Sequence, residues 1–345
     1  MNTSATHKPI KSYSSQELTE LLKSYRQPSY RANQLVQWLY QRGVSSYDDM
    51  TDFPKALRQQ LADNHPLFSP SIEDKQVSSD GTRKYLLSYH DGSLVETVGI
   101  PSSERLTVCF STQIGCPMGC VFCATGKEGF TRNLSVGEII DQVLVVQSDF
   151  GKRVTNLVGM GQGEPFLNYD AVVAALDIIN SKKGLGIGAR KITLSTCGIL
   201  DGIRKFSEVR EQYTLAVSLH SARQEVRDTI MPHVSSQPLN SLYKELLSYI
   251  EKTKRRVTFE YTLISGLNDR QVDLEALLHY CRGLLCHVNL IRLNDTPNSL
   301  FHPSSETTTH EWKEVLERHG IETTIRISKG SDIFGACGQL KNARA

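Results

Sequence analysis

CPMGCVFC, at residues 116–123, contains three cysteines in the spacing C-x3-C-x2-C, which supplies three thiolates to one metal centre. A structural zinc ion takes four ligands, and an iron-sulfur cube that only carries electrons takes four cysteines. Three cysteines therefore favour a cube that keeps one iron open for a further ligand. Zinc is the alternative. No histidine lies between His90 and His220, so a zinc site would need a distant fourth ligand, for which Cys109 is the only nearby candidate.

Length and charge limit the class of protein. A chain of 345 residues fits one large α/β unit and a small accessory domain. The 39 Lys and Arg residues against 37 Asp and Glu residues give a formal charge of +2, so any contact with nucleic acid must come from local basic clusters.

Neither a signal peptide nor a membrane span is indicated. The N-terminus, MNTSATHKPIKSYSSQEL, has no apolar segment, and no long apolar run follows it. We therefore expect a cytoplasmic protein without a membrane partner. In a reducing compartment, the eight cysteines are better explained as metal ligands and reactive thiols than as a disulfide framework. Cys281 and Cys286 lie in an apolar setting that is typical of core residues.

Helical patterns come first along the chain. SSQELTELLKSY, RANQLVQWLYQRG and FPKALRQQLADN have helical spacing and start signals, which predicts a small helical accessory domain over residues 1–74. Short alternating runs follow, with His90-Asp91-Gly92 as a turn, and they predict a β-hairpin linker over residues 75–102.

Strands and helices alternate through residues 103–345. This pattern predicts six or seven parallel strands with right-handed crossovers, and hence an α/β fold that closes as a partial (β/α) barrel. Active sites of such barrels lie in the loops after the strands. The cysteine triplet follows the first strand, and the glycine-rich loop GMGQGEP at residues 159–165 follows the second.

Further motifs connect these features. CPMGCVFCATGKEGF, MGQGEP, LSTCGI, SLH, NLI and ACGQL together make the chain resemble a radical S-adenosylmethionine enzyme. More closely, it resembles the radical S-adenosylmethionine 23S rRNA and tRNA adenine-C2 methyltransferase family. The resemblance runs from YRANQLVQWLYQRG in the helical part, through SDGTRKY and VETV, to ACGQL near the C-terminus. It implies a barrel of the radical S-adenosylmethionine type.

The resemblance implies a set of cofactor ligands. Cys116, Cys120 and Cys123 would hold a 4Fe-4S cluster whose open iron chelates S-adenosylmethionine, of which two molecules are used per turnover. The positions that match the family's contacts with S-adenosylmethionine are Gly163, Glu164, Ser195, Ser218, Leu219, His220 and Asn294.

The resemblance also implies a catalytic set outside the triplet. Cys337 would receive a methyl group from one S-adenosylmethionine, and a 5'-deoxyadenosyl radical from a second would take hydrogen from that S-methyl group. The carbon radical would then add to adenine C2 and join enzyme to RNA. Glu96 would remove the C2 proton, and Cys109 would release the RNA by forming a disulfide bond with Cys337.

The implied partners are rRNA or tRNA, or both, and an electron donor such as flavodoxin or ferredoxin; we expect a monomer. The target adenine must be unstacked to be reached. We expect the helical domain to hold RNA phosphates through basic residues such as Arg26, Arg31, Arg42 and Arg58.

Some positions depart from the family's usual pattern, and they leave the methylated carbon and the substrate open. These positions are Gln162, Cys197, Arg292, Asp295 and the pair Phe334-Gly335. Methylation of adenine C8 by the same set of cysteines is the first alternative. A non-catalytic iron-sulfur protein that binds RNA, and an RNA-binding module stapled by zinc, are the others.

Overall fold

The computed structural model describes residues 8–294 and 300–342. Its strands are β1 (Ser71–Val77), β2 (Arg83–Ser88), β3 (Leu94–Pro101), β4 (Leu106–Cys109), β5 (Gln113–Gly115), β6 (Phe130–Asn133), β7 (Asn156–Gly159), β8 (Ile192–Thr196), β9 (Thr214–Ser218), β10 (Val257–Leu263), β11 (Cys286–Arg292) and β12 (Glu322–Arg326). Within the described residues, ten strands form one sheet in the order β1-β2-β3-β4-β7-β8-β9-β10-β11-β12.

The sheet is mixed. From β4 to β12 neighbouring strands are parallel, whereas β1 to β4 are antiparallel. β5 and β6 form a separate antiparallel pair. The parallel part follows the βα alternation of the sequence, and the sheet ends at β12 on one side and at β1 on the other. The prediction of an α/β fold with a partial barrel is therefore confirmed.

Helices cover the sheet and form the N-terminal unit. They are α1 (Ser15–Ser24), α2 (Tyr30–Val36), α3 (Lys55–Asn64), α4 (Ala124–Glu128), α5 (Val136–Phe150), α6 (Tyr169–Asn180), α7 (Leu200–Phe206), α8 (Gln224–Ile230), α9 (Leu239–Thr253), α10 (Gln271–Cys281) and α11 (Glu306–Arg318). The packing of α5 on β3 is close, because a Cβ atom at Gly99 would lie 2.7 Å from Val146 and 2.6 Å from Phe150.

Local signals explain where the helices begin. Ser14 and Glu17 form a capping box at α1, in which the Glu17 amide donates to the Ser14 hydroxyl and the Ser14 amide to the Glu17 carboxylate. Ser135 and Glu138 do the same at α5, as the sequence predicts. The caps satisfy amide groups that have no partner inside a helix.

The N-terminal helices pack on the barrel through a shared core and one buried ion pair. Lys11 Nζ lies 2.7 Å from Asp141 Oδ1 of α5, and both side chains are almost fully buried. A Cβ atom at Gly137, one turn earlier on α5, would lie 2.3 Å from Lys11 Cβ. The absence of a side chain at residue 137 therefore lets Lys11 approach the helix.

The structure differs from the sequence-based division near residue 75. β1 begins at Ser71 and belongs to the large sheet, so residues 71–74 are not part of the helical unit. The predicted hairpin, with its turn between Ser88 and Leu94, continues the barrel sheet through the pairing of β3 with β4. β1 is mostly exposed, and an edge strand of this kind has little hydrophobic alternation to reveal it.

Candidate active site

A cavity opens where the parallel strands end. It is lined by all three cysteines of the triplet and by residues after β7, β8, β9 and β11. Of the predicted residues it collects Cys116, Cys120, Cys123, Gly163, Glu164, Ser195, Ser218, His220, Asn294 and Cys337. Leu219 does not line the cavity: it is fully buried, and its amide donates to the carbonyl of Glu260 at 3.0 Å. Leu219 therefore fixes the turn that presents its neighbours.

The cysteine loop is shaped by backbone turns. Gly115 and Gly119 have φ of 72° and 61°, and the amide of Cys116 donates to the carbonyl of Gly129 at 2.7 Å. An apolar cluster that includes Met118, Met231 and Val234 packs around the loop. Burial raises the pKa of Cys116 to about 12 and also raises those of the other two thiols. Metal binding must therefore release protons from this loop.

The donor set fits an iron-sulfur centre. Three thiols share one cavity wall, and the rest of the lining leaves room for a further ligand. Among the described residues, no three His, Cys, Asp or Glu side chains converge closely enough to hold a single metal ion. A cube does not require such convergence, because each thiolate binds a different iron atom.

The glycine-rich loop after β7 approaches its neighbours too closely for side chains. A Cβ atom at Gly161 would lie 2.6 Å from Ser111 Oγ, and one at Gly163 would lie 2.6 Å from Gln113 Cβ. Gly163 also has φ of 98°, which favours glycine. The backbone of this loop therefore forms part of the cavity wall directly.

Glu164 connects this loop to the loop after β8. Its Oε1 accepts the amide hydrogen of Phe166 at 3.0 Å, and its Oε2 accepts that of Cys197 at 2.7 Å. Burial raises the pKa of Glu164, while these hydrogen bonds oppose that shift. The carboxylate keeps free lone pairs toward the cavity, where it can accept a hydrogen bond from an ammonium group.

His220 is held as a neutral ring. Its Nδ1 accepts the amide hydrogen of Thr262 at 3.0 Å, which assigns the ring proton to Nε2. Burial, with a smaller effect of Arg227, lowers the pKa of His220 to about 3. The ring of Phe122 packs edge-on at 4.9 Å. Nε2–H is thus a constant hydrogen-bond donor at the cavity wall.

A second cavity contains the two further thiols. Cys109, at the end of β4, and Cys337 line it together, and Cys337 lines the first cavity as well. Burial raises the pKa of Cys109 to about 12, Cys337 adds to this effect, and the positive charge of Arg326 opposes it. Arg326 lies at the end of β12, and its Nη1 donates to Met160 Sδ at 3.3 Å and Glu260 Oε2 at 3.4 Å.

Glu96 lines neither cavity. It is fully buried on β3, where its Oε1 lies 3.1 Å from Lys84 Nζ and its Oε2 accepts the amide hydrogen of Lys341 at 2.7 Å. Val98, two residues further along β3, is directly opposite Cys109 on β4. Because side chains alternate along a strand, Glu96 and Cys109 share one face of the sheet. The C-terminal segment covers Glu96 on this face.

That segment is held against the cysteine loop. The amide of Ala124 donates to the carbonyl of Gly338 at 2.7 Å, and the hydroxyl of Thr125 donates to that of Leu340 at 2.6 Å. Asn294 Nδ2 donates to the carbonyl of Cys337 at 3.0 Å. The cysteine triplet, the C-terminal thiol and a predicted cofactor contact are therefore joined by direct hydrogen bonds.

The departures from the family pattern lie in different places. Gln162 is buried, and its Oε1 accepts the amide hydrogen of Glu96 at 3.2 Å. Cys197 lines the first cavity, but Arg292 does not: it contacts Ser304 and Glu306. Asp295 lies outside the described residues. Phe334 has φ of 51° and is partly exposed.

Three cationic residues near the site escaped prediction. Lys84 pairs with Glu96, Arg326 faces the thiols, and Arg227 lies behind the cysteine loop. Position in the chain offered a signal only for Arg326, which ends a strand shortly before ACGQL. A single basic residue inside a strand or a short helix carries no such signal.

The chain is similar to known proteins over nearly its whole length. The Radical SAM superfamily model matches residues 110–278, and a model described as Ribosomal RNA large subunit methyltransferase N-terminal domain matches residues 10–66. A probable dual-specificity RNA methyltransferase RlmN from Gloeobacter violaceus is 46% identical over 333 residues, which cover 96% of this chain and 95% of that protein. The chain belongs to the RlmN family.

Further RlmN relatives agree. The one from Clostridium novyi is 42% identical over 335 residues, covering 97% of this chain and 98% of that protein. The crystal structure of a radical SAM methyltransferase from Sphaerobacter thermophilus is 40% identical, with a TM-score of 0.92 over 97% of this chain and 100% of that chain. The resemblance stated from the motifs, the barrel and the enzyme class are therefore confirmed.

Membership of the RlmN family establishes the cofactors. The chain is a radical S-adenosylmethionine methyltransferase that uses a 4Fe-4S cluster and S-adenosylmethionine, as its motifs imply. None of the helices in the described part of this chain has the length and apolar character needed to cross a membrane.

Proposed function

We propose that the chain methylates C2 of an adenosine in 23S rRNA, in tRNA or in both, with Cys337 as the carrier of the methyl group. The observation that carries the proposal is the position of Cys337, which borders both the cavity of the cysteine triplet and the cavity of Cys109. A carrier thiol must meet the cofactor first and the resolving thiol later, and this position supports both.

The residues around the first cavity would hold the cofactors. When bound, the cluster and S-adenosylmethionine supply the methyl group and the one-electron chemistry. Cys116, Cys120 and Cys123 would bind the irons. Hydroxyls, a carboxylate and a neutral imidazole would orient the amino acid and nucleoside parts of S-adenosylmethionine, and the residues that supply these groups and the adjoining backbone are Gly163, Glu164, Ser195, Ser218, His220 and Asn294.

The two thiols would carry the group-transfer steps. Cys337 accepts a methyl group after losing its proton. Once the CH2 carbon is bonded to adenine C2 and the C2 proton is removed, the thiolate of Cys109 bonds to the sulfur of Cys337. The carbon-sulfur bond then breaks, and the CH2 carbon takes a proton to become a methyl group. A thiol reductant must afterwards return two electrons to the disulfide.

Arg326 supports this role for Cys109. Its guanidinium opposes the rise in the pKa of the Cys109 thiol that burial causes. Replacement by glutamine should make Cys109 react at least about tenfold more slowly with iodoacetamide at a fixed pH, since an opposite charge shifts a neighbouring pKa by about one unit or more. Equal rates in the two proteins would exclude the effect. Cys286, at the start of β11, serves as the internal control.

Glu96 would act as the base after the C-terminal segment has moved. In the present arrangement its carboxylate accepts a hydrogen bond from the amide of Lys341, so the substrate has no path to it. Movement of residues 337–341 would open the face that Glu96 shares with Cys109. Glu96→Gln should stop the reaction after RNA is joined to Cys337, and mass spectrometry would detect the adduct. Normal product formation by this variant would assign the base elsewhere.

We propose further that the N-terminal helical unit holds RNA phosphates. Arg26 is exposed, while Arg31, Arg42 and Arg58 already contact Asp52, Trp38 and Asp48 of the same unit. Removal of residues 1–70 is a poor test, because it would leave Asp141 without Lys11. Arg26→Gln combined with Arg42→Gln should instead reduce the salt dependence of RNA binding, by nearly one unit of slope for each phosphate that the variant no longer neutralises. An unchanged slope would reject the surface.

The remaining partners follow from the cofactor. We propose a flavodoxin or a ferredoxin as the electron donor, a monomeric enzyme and a cytoplasmic location. Sedimentation of the purified protein tests the oligomeric state. Reduction by each candidate donor, followed by measurement of 5'-deoxyadenosine, tests the electron supply.

Nucleoside analysis tests the reaction itself. RNA from a strain that lacks the gene should have lost 2-methyladenosine, and addition of the purified enzyme should restore it. Appearance of 8-methyladenosine instead would assign the C8 reaction, and absence of both would overturn the proposed function.

A further inference from the structure

Arg227 is an uncompensated buried cation. The side chain, on α8, is fully buried. Its Nη2 donates to the carbonyl of Cys197 at 2.5 Å, whereas Nε and Nη1 have no hydrogen-bond partner among the described residues. No carboxylate in this part of the chain forms an ion pair with it. Buried charges in proteins are usually paired, so this guanidinium requires an explanation.

The protein keeps the charge in place at a cost. Burial lowers the pKa of Arg227, as expected for a cation away from water. Arginine nevertheless remains protonated in proteins because its unperturbed pKa is so high. Buried cations without an anion are strongly unfavourable, and a partner that binds only after folding would remove the penalty.

The surroundings of Arg227 identify where such an anion would lie. Its positive charge acts on the thiols of Cys120 and Cys197 and on the ring of His220. The amide of Val121 donates to the carbonyl of Ile230 at 3.1 Å, which attaches the cysteine loop to the end of α8. Arg227 is therefore directly behind the loop that holds the metal ligands.

We propose that Arg227 is the buried counter-charge of the iron-sulfur centre and raises its reduction potential. Three thiolates bring negative charge into this loop, and each added electron increases it. A fixed cation close to the loop favours the reduced form, in which the negative charge is greater. The inference rests on the cluster and not on the choice of adenine carbon, so it can fail without affecting the proposed reaction.

The test compares uncharged and charged replacements in the full-length, reconstituted protein. An electron paramagnetic resonance titration with dithionite and redox mediators gives the midpoint potential. Arg227→Gln should make reduction at least about tenfold less favourable, which for one electron corresponds to a potential lower by about 59 mV. Arg227→Lys keeps the charge and should stay close to wild type. Arg204→Gln removes an exposed arginine on α7 and should have no effect.

A second measurement separates this role from a structural one. Without iron, Arg227→Gln should be at least as resistant to urea as wild type, because the variant buries no charge. With iron bound, the same variant should lose iron to a chelator faster than wild type. A merely structural arginine would weaken both forms alike.

Two outcomes would overturn the proposal. One is an unchanged midpoint potential in Arg227→Gln. The other is failure of both Arg227→Gln and Arg227→Met to fold without iron, because the proposal requires the iron-free chain to tolerate loss of the charge.

Discussion

The neutral state of His220 predicts a specific dependence of stability on pH. In the unfolded chain a histidine takes up its proton near pH 6.5, whereas burial lowers the pKa of His220 in the folded protein to about 3. Between these values the unfolded state binds more protons than the folded state. Acidification through this range therefore favours unfolding, and the contribution of His220 is complete only above the unfolded pKa.

The size of the effect follows from the two pKa values. From pH 7 to pH 5, the folded protein should lose about 2 kcal/mol of stability through this one ring. His220→Gln removes the titration, while an amide oxygen in the side chain can still accept the hydrogen bond from Thr262. The variant should be less stable than wild type at pH 7, and the difference should shrink by about 2 kcal/mol at pH 5.

Urea unfolding of both proteins at the two pH values gives the comparison. Other titrating groups are common to both proteins, so they cancel in the difference. His310→Gln, on the exposed part of α11, controls for the substitution of a histidine. If wild type and His220→Gln lose stability in parallel between pH 7 and pH 5, the ring is not neutral in the way described.

Three further predictions concern separate parts of the molecule. Gly163→Ala places a Cβ atom 2.6 Å from Gln113 Cβ at a φ of 98°, so the strained loop should weaken binding of S-adenosylmethionine in equilibrium dialysis, and unchanged binding would contradict this. Lys11→Met leaves Asp141 buried without a partner and should cost about 3–5 kcal/mol in urea unfolding, with recovery when Asp141→Asn is added. Cys109→Ala should accumulate a covalent protein-RNA adduct on denaturing gels, and clean turnover would show that another group releases the RNA.

Motifs and periodicity in the sequence predict much of the fold and of the first cavity. The βα alternation gives the parallel strands because each element must bury one face, and the triplet follows β4 as expected for a barrel. Capping boxes at Ser14 and Ser135 mark helix starts through short-range hydrogen bonds. These signals depend on neighbouring residues, which is why a single sequence reveals them.

Long-range contacts explain what the sequence does not reveal. The exposed edge strand β1 has no hydrophobic alternation, so its membership of the sheet depends on pairing with β2. The cover over Glu96 comes from Lys341, more than two hundred residues away in the chain. Arg227 becomes unusual only when its lack of a buried partner is visible. None of these features has a local pattern.

The central claim, that Cys337 carries the methyl group to RNA, is tested most directly with S-adenosylmethionine that has a trideuterated methyl group. Over several turnovers, we expect 2-methyladenosine with two deuterium atoms in the new methyl group and one deuterium in 5'-deoxyadenosine. One hydrogen is taken from the S-methyl group of Cys337, and water supplies its replacement. Product that retains all three deuterium atoms would mean direct transfer and would contradict a carrier role for Cys337.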